Sequence, residues 1–129
     1  MKDLIIKLKN ESFFRNPEVV LDGKTGNCSI SGESFMEDVD DFFAPIFKWF
    51  NEFQSDNQLY SITINIHLTY FNTSSSKALF DMMLILKKIK DTGKKIIVNW
   101  HCDADDFEME DDIIDITIDS GLDINLLST

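Results

Sequence analysis

Hydrophobic and polar residues alternate along residues 62–70, and this alternation predicts a β-strand near the middle of the chain. The apolar set is Ile62, Ile64, Ile66, Leu68 and Tyr70, and the polar set is Thr63, Asn65, His67 and Thr69. Successive side chains of a strand point to opposite faces, so the apolar set is predicted to be buried and the polar set to lie on a more open face. A second strong strand is predicted over residues 95–101.

Apolar residues spaced three and four positions apart predict two helices. The first helix is predicted from Val39, Phe42, Phe43, Ile46, Phe47, Phe50 and Phe53. Pro45 falls inside this pattern, which indicates either one kinked helix or two shorter ones. The second helix is predicted from Leu79, Met82, Met83, Leu86 and Ile89. Gly93 is suited to its C-terminal cap, and the segment after residue 103 is compatible with a third helix.

The order of the remaining elements indicates a mixed sheet. Residues 18–22 and 27–31 flank a short glycine-bounded loop, which is typical of an antiparallel hairpin, and residues 123–127 predict a short closing strand. Because a helix joins the strands at 62–70 and 95–101, those strands are expected to be parallel, with a right-handed crossover. The pattern therefore predicts an α/β fold, with a mixed four- to five-stranded sheet and helices mainly on one face.

Composition limits the classes of function. A chain of 129 residues with 43% hydrophobic residues is expected to form a single domain over residues 1–129. The net charge is −11, and residues 103–123 contain ten acids and no base, which argues against nucleic acid or an anionic membrane as a partner. No apolar run reaches the ~18 residues that a membrane span needs, and residues 1–7 lack the features of a signal peptide, so a cytoplasmic location is expected.

The cysteines and acids do not form a recognisable metal site. Cys28 and Cys102 lie far apart in strand-like segments without Cys-x-x-Cys spacing, so both are expected to be reduced and apolar in role. A calcium loop beginning at Asp103 would need glycine at its sixth position and glutamate at its twelfth, but these are Glu108 and Ile114. No metal and no cofactor are therefore predicted.

The junction between the central strand and the second helix, Asn72-Thr73-Ser74-Ser75-Ser76-Lys77, concentrates small hydroxyl residues. The strand is expected to end near Phe71 and the helix to begin by about Ser76. Such residues accept hydrogen bonds from the free amides of a first helical turn, so the run is explained by capping alone. The same helix end also favours negative charge, including a phosphate on one of the hydroxyls. The residues by themselves leave both interpretations open.

Four stretches in order resemble the SiaC family of regulatory phosphoproteins. The clearest is Leu68-Thr69-Tyr70-Phe71-Asn72-Thr73-Ser74-Ser75-Ser76-Lys77. The others are Gly32-Glu33-Ser34-Phe35-Met36-Glu37-Asp38, Phe43-Ala44-Pro45-Ile46-Phe47-Lys48-Trp49 and Val98-Asn99-Trp100-His101-Cys102-Asp103. The resemblance covers roughly residues 17–127. It implies a fold like the STAS domains of anti-sigma-factor antagonists.

The resemblance also implies a function, which is regulation by partner switching and not catalysis. A cognate kinase is expected to phosphorylate Thr73, with Ser74 as the second choice, and a phosphatase to remove the phosphate. The unphosphorylated form is expected to bind and activate a diguanylate cyclase, which produces cyclic di-GMP and promotes biofilm formation in bacteria. The residues expected to contact partners are Asn72, Thr73, Ser74, Ser75, Lys77 and Glu37.

A different hypothesis starts from the two histidines. His67 and His101 both lie on predicted strands, and alternation allows them to share the polar face of the sheet. A pair of histidines on one face is compatible with a small enzyme, although no Ser-His-Asp order or activated nucleophile accompanies them. A deep cleft that converges on the histidines would favour the enzyme, whereas an open polar face would favour the regulatory module.

Overall fold

The computed structural model describes residues 1–11 and 13–129, and within them the chain forms an α/β fold. The strands are β1 (Leu4–Ile6), β2 (Lys9–Asn10), β3 (Arg15–Asn16), β4 (Glu18–Leu21), β5 (Asn27–Ser34), β6 (Ser61–Phe71), β7 (Lys95–Cys102) and β8 (Ile124–Ser128). The helices are α1 (Val39–Ser55), α2 (Thr73–Asp91) and α3 (Phe107–Ser120).

The main sheet has six strands in the order β1-β4-β5-β6-β7-β8. The β1/β4 and β4/β5 pairs are antiparallel, whereas β5/β6, β6/β7 and β7/β8 are parallel. One helix lies between the strands of each parallel pair, because a parallel connection must return the chain to the starting edge of the sheet. The predicted hairpin and the predicted parallel crossover are both confirmed.

The core lies between one face of the sheet and the three helices. On β6 the side chains of Ile62, Ile64, Ile66 and Leu68 are buried, whereas Asn65 and His67 between them are exposed. Phe43, Phe50 and Phe53 of α1 and Trp100 of β7 are among the largest fully buried side chains. Each of these three phenylalanines stabilises the fold by roughly 1.5–3 kcal/mol through removal of apolar surface from water. Among the residues that the structure describes, no helix covers the other face of the sheet, where the side chains are exposed or half-buried.

A row of asparagines crosses that open face. The strand register places Asn65 of β6 opposite Asn99 of β7, and Asn99 opposite Asn125 of β8. The Asn99 amide donates to Asn65 at 3.3 Å, and the Asn125 amide donates to Asn99 at 3.0 Å. We call these three residues the asparagine row. Their amides hydrogen-bond one another across the strands, which suits a sheet face exposed to water.

The prediction of four to five strands was too low. The sheet gains β1 at its edge, and β2 and β3 form a separate two-stranded sheet. These strands are only two or three residues long, so they carry no alternation that a sequence pattern could detect. Pro45 does not divide α1, which is one helix. Asp41, whose carbonyl loses its helical donor, and Pro45 are both exposed, so water can replace that donor.

Candidate functional site

The hydroxyl-rich junction lies at the end of β6, where the chain turns into α2. Strand β6 is central, with β5 and β7 parallel to it on either side. The carboxyl ends of these three strands therefore lie side by side along one edge of the sheet, the edge that contains the junction. In α/β sheets this edge is where ligand and partner sites form, because the loops there diverge from a rigid scaffold. The β5–α1 loop contributes Glu37 to the same edge of the sheet.

Helix α2 begins at Thr73, three residues earlier than expected. Asn72 is its N-cap, and the Asn72 side-chain oxygen accepts a hydrogen bond from the Ser75 amide at 3.0 Å. This single asparagine provides the capping acceptor, so Thr73 to Ser76 form the first turn of the helix instead of a preceding loop. The hydroxyl residues therefore occupy fixed helical positions.

Ser75 turns inward and is tied to the end of β5. Its hydroxyl accepts a hydrogen bond from the Ser34 hydroxyl at 2.8 Å and donates one to the Ser34 carbonyl at 3.1 Å. The backbone N–H of Asn72 donates to the same carbonyl at 3.2 Å. Both serines are fully buried. The Ser75 hydroxyl is thus engaged within the protein, in contrast to the partner contact expected from the sequence, and we call these two residues the serine bridge.

The neighbouring polar side chains of the junction face solvent. Thr73 and Ser74 are exposed at the first two helical positions, and Asn72 is half-buried. The Lys77 side chain is exposed, with its nitrogen 3.8 Å from a carboxylate oxygen of Asp81. Glu37 is also exposed. The first turn of α2 contains no acidic residue, so the partial positive charge of this helix end has no carboxylate of its own turn beside it.

An exposed aromatic cluster borders the junction. The rings of Phe14 and Phe35 stack with centroids 6.2 Å apart, and Tyr70 meets Phe35 edge-on at 6.3 Å. Phe35 directly follows Ser34 of the serine bridge, and Tyr70 precedes the Asn72 cap by two positions. All three rings are more than a third exposed. We call Phe14, Phe35 and Tyr70 the aromatic patch, which no periodic pattern in the sequence predicts.

Tyr70 was predicted on the buried face of its strand, and this prediction was wrong. The pairing of β5 with β6 shifts between Gly32 and Glu33, so that Gly32 lies opposite Leu68 but Glu33 opposite Tyr70. One extra residue, Thr69, is thereby accommodated in β6, and both Thr69 and Tyr70 are exposed. Such irregularities re-aim the side chains that follow them, and here the result is to turn Tyr70 outward.

The two histidines share the open face of the sheet, as alternation allowed. Their ring centroids are 6.1 Å apart. His67 lies 3.7 Å from an oxygen of Asp103, and His101 lies 3.5 Å from the side-chain oxygen of Asn65. The His67 side chain is about half exposed, so the pair lies on an open surface. In the described ranges, no three His, Cys, Asp or Glu residues are grouped to hold a metal ion.

The cysteine thiols are held in their neutral form. Burial raises the pKa of Cys28 to about 12, and burial together with the nearby carboxylates of Glu110, Asp106 and Asp103 raises the pKa of Cys102. A thiol with a raised pKa is a poor nucleophile and a poor metal ligand. Among residues 1–11 and 13–129, no helix is long and apolar enough to pass through a membrane.

Comparison with known proteins gives a consistent result. A family model described as "SiaC family regulatory phosphoprotein" matches residues 8–129. An uncharacterised protein of Pseudomonas aeruginosa strain UCBPP-PA14 is 30% identical over 87 residues, which are 67% of this chain and 68% of that protein. The crystal structure of apo-SiaC from P. aeruginosa superposes with a TM-score of 0.82 at 24% identity, covering 98% of this chain and 99% of that one.

A further solved structure contains a SiaC bound to another protein. It is described as diguanylate cyclase SiaD in complex with its activator SiaC from P. aeruginosa. The matched chain superposes with a TM-score of 0.83 at 22% identity, covering 96% of this chain and 100% of that one. At this level of identity the likeness shows the fold.

Proposed function

This chain belongs to the SiaC family of regulatory phosphoproteins, and we propose that it is a phosphorylation-controlled activator of a diguanylate cyclase. The observation that carries the proposal is the division of the junction hydroxyls. Thr73 and Ser74 are exposed, whereas Ser75 is committed to the serine bridge. The relative described as the activator of a diguanylate cyclase supports the choice of partner.

We assign the phosphate to Thr73, with Ser74 as the second choice. Thr73 is exposed at the first position of a helix, where free amides and the helix dipole favour negative charge. A phosphate adds about −1.5 to −2 charges at neutral pH, and the helix end accommodates them without a change of fold. A cognate kinase and a phosphatase would set the fraction of phosphorylated protein. Both enzymes and the cyclase use nucleotides or phosphoproteins of the cytoplasm, where we place this protein.

The cyclase would dock on the aromatic patch and the adjoining helix start. Aromatic side chains, including phenylalanine and tyrosine, are enriched at protein interfaces, and Phe35 and Tyr70 flank the junction. Lys77 and Glu37 add one charge of each sign to the rim. A phosphate on Thr73 would then have to lose its hydration when the partner covers it, and this desolvation cost would block docking.

The test uses the full-length protein and the diguanylate cyclase encoded in the same genome. Binding and cyclic di-GMP production are measured for wild type, Thr73→Ala, Thr73→Asp and the matched control Ser74→Ala. We expect Thr73→Ala and Ser74→Ala to bind within about twofold of wild type, and Thr73→Asp to bind at least about tenfold more weakly, a loss of about 1.4 kcal/mol.

Intact-mass measurement after incubation with the kinase and ATP supplies the second arm. We expect one added phosphate in wild type and in Ser74→Ala, and none in Thr73→Ala. If Thr73→Asp activates the cyclase as well as wild type does, the proposed switch is wrong. If Ser74→Ala alone abolishes the modification, the phosphate belongs on Ser74.

A further inference from the structure

Helix α3 carries apolar side chains on the side that faces away from the core. Phe107 and Ile118 are each 71% exposed, and Ile114 is 38% exposed. Their spacings of seven and four residues place all three within about 40° of one another around the helix axis, at ~100° per residue. They line up over about 16 Å, with the acidic Glu110 and Asp111 on the turn between Phe107 and Ile114, and we call the three apolar residues the α3 stripe.

The same helix buries a different set of residues. Met109, Ile113 and Ile116 pack into the core, and they lie on the side roughly opposite the α3 stripe by the same geometry. A surface helix needs only one apolar face, and its outer face is ordinarily polar. An exposed apolar stripe on the outer face costs solubility without adding to the core, so it indicates contact with another molecule.

The charges around the α3 stripe indicate what that molecule is. Asp111 and Asp115 lie beside the stripe on the same helix, and residues 103–123 contain no lysine or arginine. Within residues 107–120 no carboxylate forms a salt bridge. Partial desolvation, followed by repulsion from Asp115 and Glu108, raises the pKa of Asp112, which lies at the surface. These carboxylates therefore repel one another and lack cationic partners.

Charge excludes the other common occupants of an apolar stripe. A second copy of this chain would bring ten more acids against the ten already there, and like charges brought together at an interface oppose association. Binding to an anionic membrane is likewise opposed, because the lipid headgroups and the acids of residues 103–123 carry the same charge. A cationic partner removes the repulsion instead.

We infer that the α3 stripe is a docking surface for a basic amphipathic helix of a partner protein, which places apolar side chains on Phe107, Ile114 and Ile118 and lysines or arginines beside the flanking acids. This surface is on a different helix from the phosphorylation site proposed above, and it would act independently of Thr73. An amphipathic partner helix presents its apolar anchors at three- and four-residue spacing, and such a row can lie along the α3 stripe.

The probe for the test is a fluorescent synthetic peptide of about 14 leucine and lysine residues with helical apolar spacing, about 21 Å long when helical. Anisotropy is measured with the whole protein as wild type, as the double variant Phe107→Ser with Ile118→Ser, and as Ile5→Ser. Ile5 is 64% exposed on edge strand β1, so Ile5→Ser is a matched control for loss of an exposed apolar residue without change of charge. A leucine–glutamate peptide of the same spacing controls for charge.

We expect the leucine–lysine peptide to bind wild type and Ile5→Ser within about twofold of one another. The double variant should bind at least about tenfold more weakly, and the leucine–glutamate peptide should not bind. Equal binding by the double variant would overturn the inference, because net charge alone would then explain the affinity.

Two further results would also overturn it. One is dimerisation of wild type, but not of the double variant, in sedimentation. The other is binding of wild type to phosphatidylglycerol vesicles that the double variant loses. The first would assign the stripe to a second copy of the chain and the second would assign it to a membrane.

Discussion

Replacing Ser75 by alanine tests whether the buried hydroxyl of the junction stabilises the fold, in contrast to the exposed hydroxyls beside it. The change removes the group that accepts from the Ser34 hydroxyl and donates to the Ser34 carbonyl. The carbonyl keeps the Asn72 amide as a donor, but the fully buried Ser34 hydroxyl loses its acceptor. The N-cap hydrogen bond is retained, because the Asn72 side-chain oxygen accepts from the backbone N–H of residue 75, which alanine keeps.

The expected loss of stability follows from these contacts. Leaving a buried hydroxyl without a partner costs about 1–3 kcal/mol, and losing the second hydrogen bond costs about 1 kcal/mol more. Alanine recovers roughly 0.5 kcal/mol of helix propensity. We therefore expect Ser75→Ala to lower the free energy of unfolding by about 2 kcal/mol. With an unfolding entropy of ~2.1 cal/mol/K per residue over 129 residues, this lowers the Tm by about 7 °C.

The assay is thermal and urea unfolding followed by circular dichroism, with Ser74→Ala as the control. Ser74 is exposed one position away in the same helical turn, so its replacement should change stability by less than about 0.5 kcal/mol. The double variant Ser34→Ala with Ser75→Ala removes both hydroxyls and leaves no orphan. It should therefore cost clearly less than the sum of the two single changes. The stabilising role of the serine bridge would be refuted if Ser75→Ala melted within a degree of wild type. It would also be refuted if the loss of stability in the double variant equalled the sum of the losses in the two single variants.

Two further predictions concern acidity and backbone strain. Asp112→Asn should raise the Tm slightly at pH 7, while Asp119→Asn serves as the control. Partial burial and neighbouring acids raise the pKa of Asp112 in the folded protein, so its ionised form opposes folding at neutral pH. The increase in Tm on replacement should shrink as pH falls through the raised pKa and vanish below the ordinary value of 3.8. An equal increase in Tm at pH 3 and pH 7 would contradict this. In urea unfolding, Gly26→Ala should lower the free energy of unfolding by at least about 2 kcal/mol more than Gly93→Ala. Both glycines have positive φ, at 80° and 109°, but only at Gly26 would the new Cβ collide with the Ser61 carbonyl oxygen. Equal losses of stability in the two variants would contradict the collision.

The long elements could be predicted because their patterns extend over many residues. The alternation of β6 and the helical spacing of α1 and α2 identified these elements to within a few residues. The start of α2 was placed too late, because a run of serines and threonines gives no sign of where the helix begins. The Asn72 cap decides that position.

Contacts between distant residues could not be predicted from local patterns. Ser34 and Ser75 are 41 positions apart, and no spacing rule connects them. The aromatic patch combines Phe14, Phe35 and Tyr70 from three parts of the chain, and it depends on a register shift that only strand pairing creates. The family resemblance directed attention to Thr73, but the division between exposed and buried hydroxyls required the fold.

The asparagine row has a consequence for how the parallel strands find their alignment during folding. An apolar pattern with a period of two opposes a slip of one residue but tolerates a slip of two, because the same face stays apolar. A two-residue slip of β7 against β6 would place Asn65 opposite Ile97 or His101 instead of Asn99. A similar slip of the short edge strand β8 would place Asn99 opposite Asp123 or Leu127. The slips that place Ile97 or Leu127 opposite an asparagine leave its side-chain amide without a polar partner on the neighbouring strand, so the open face opposes these two alignments, which the core tolerates.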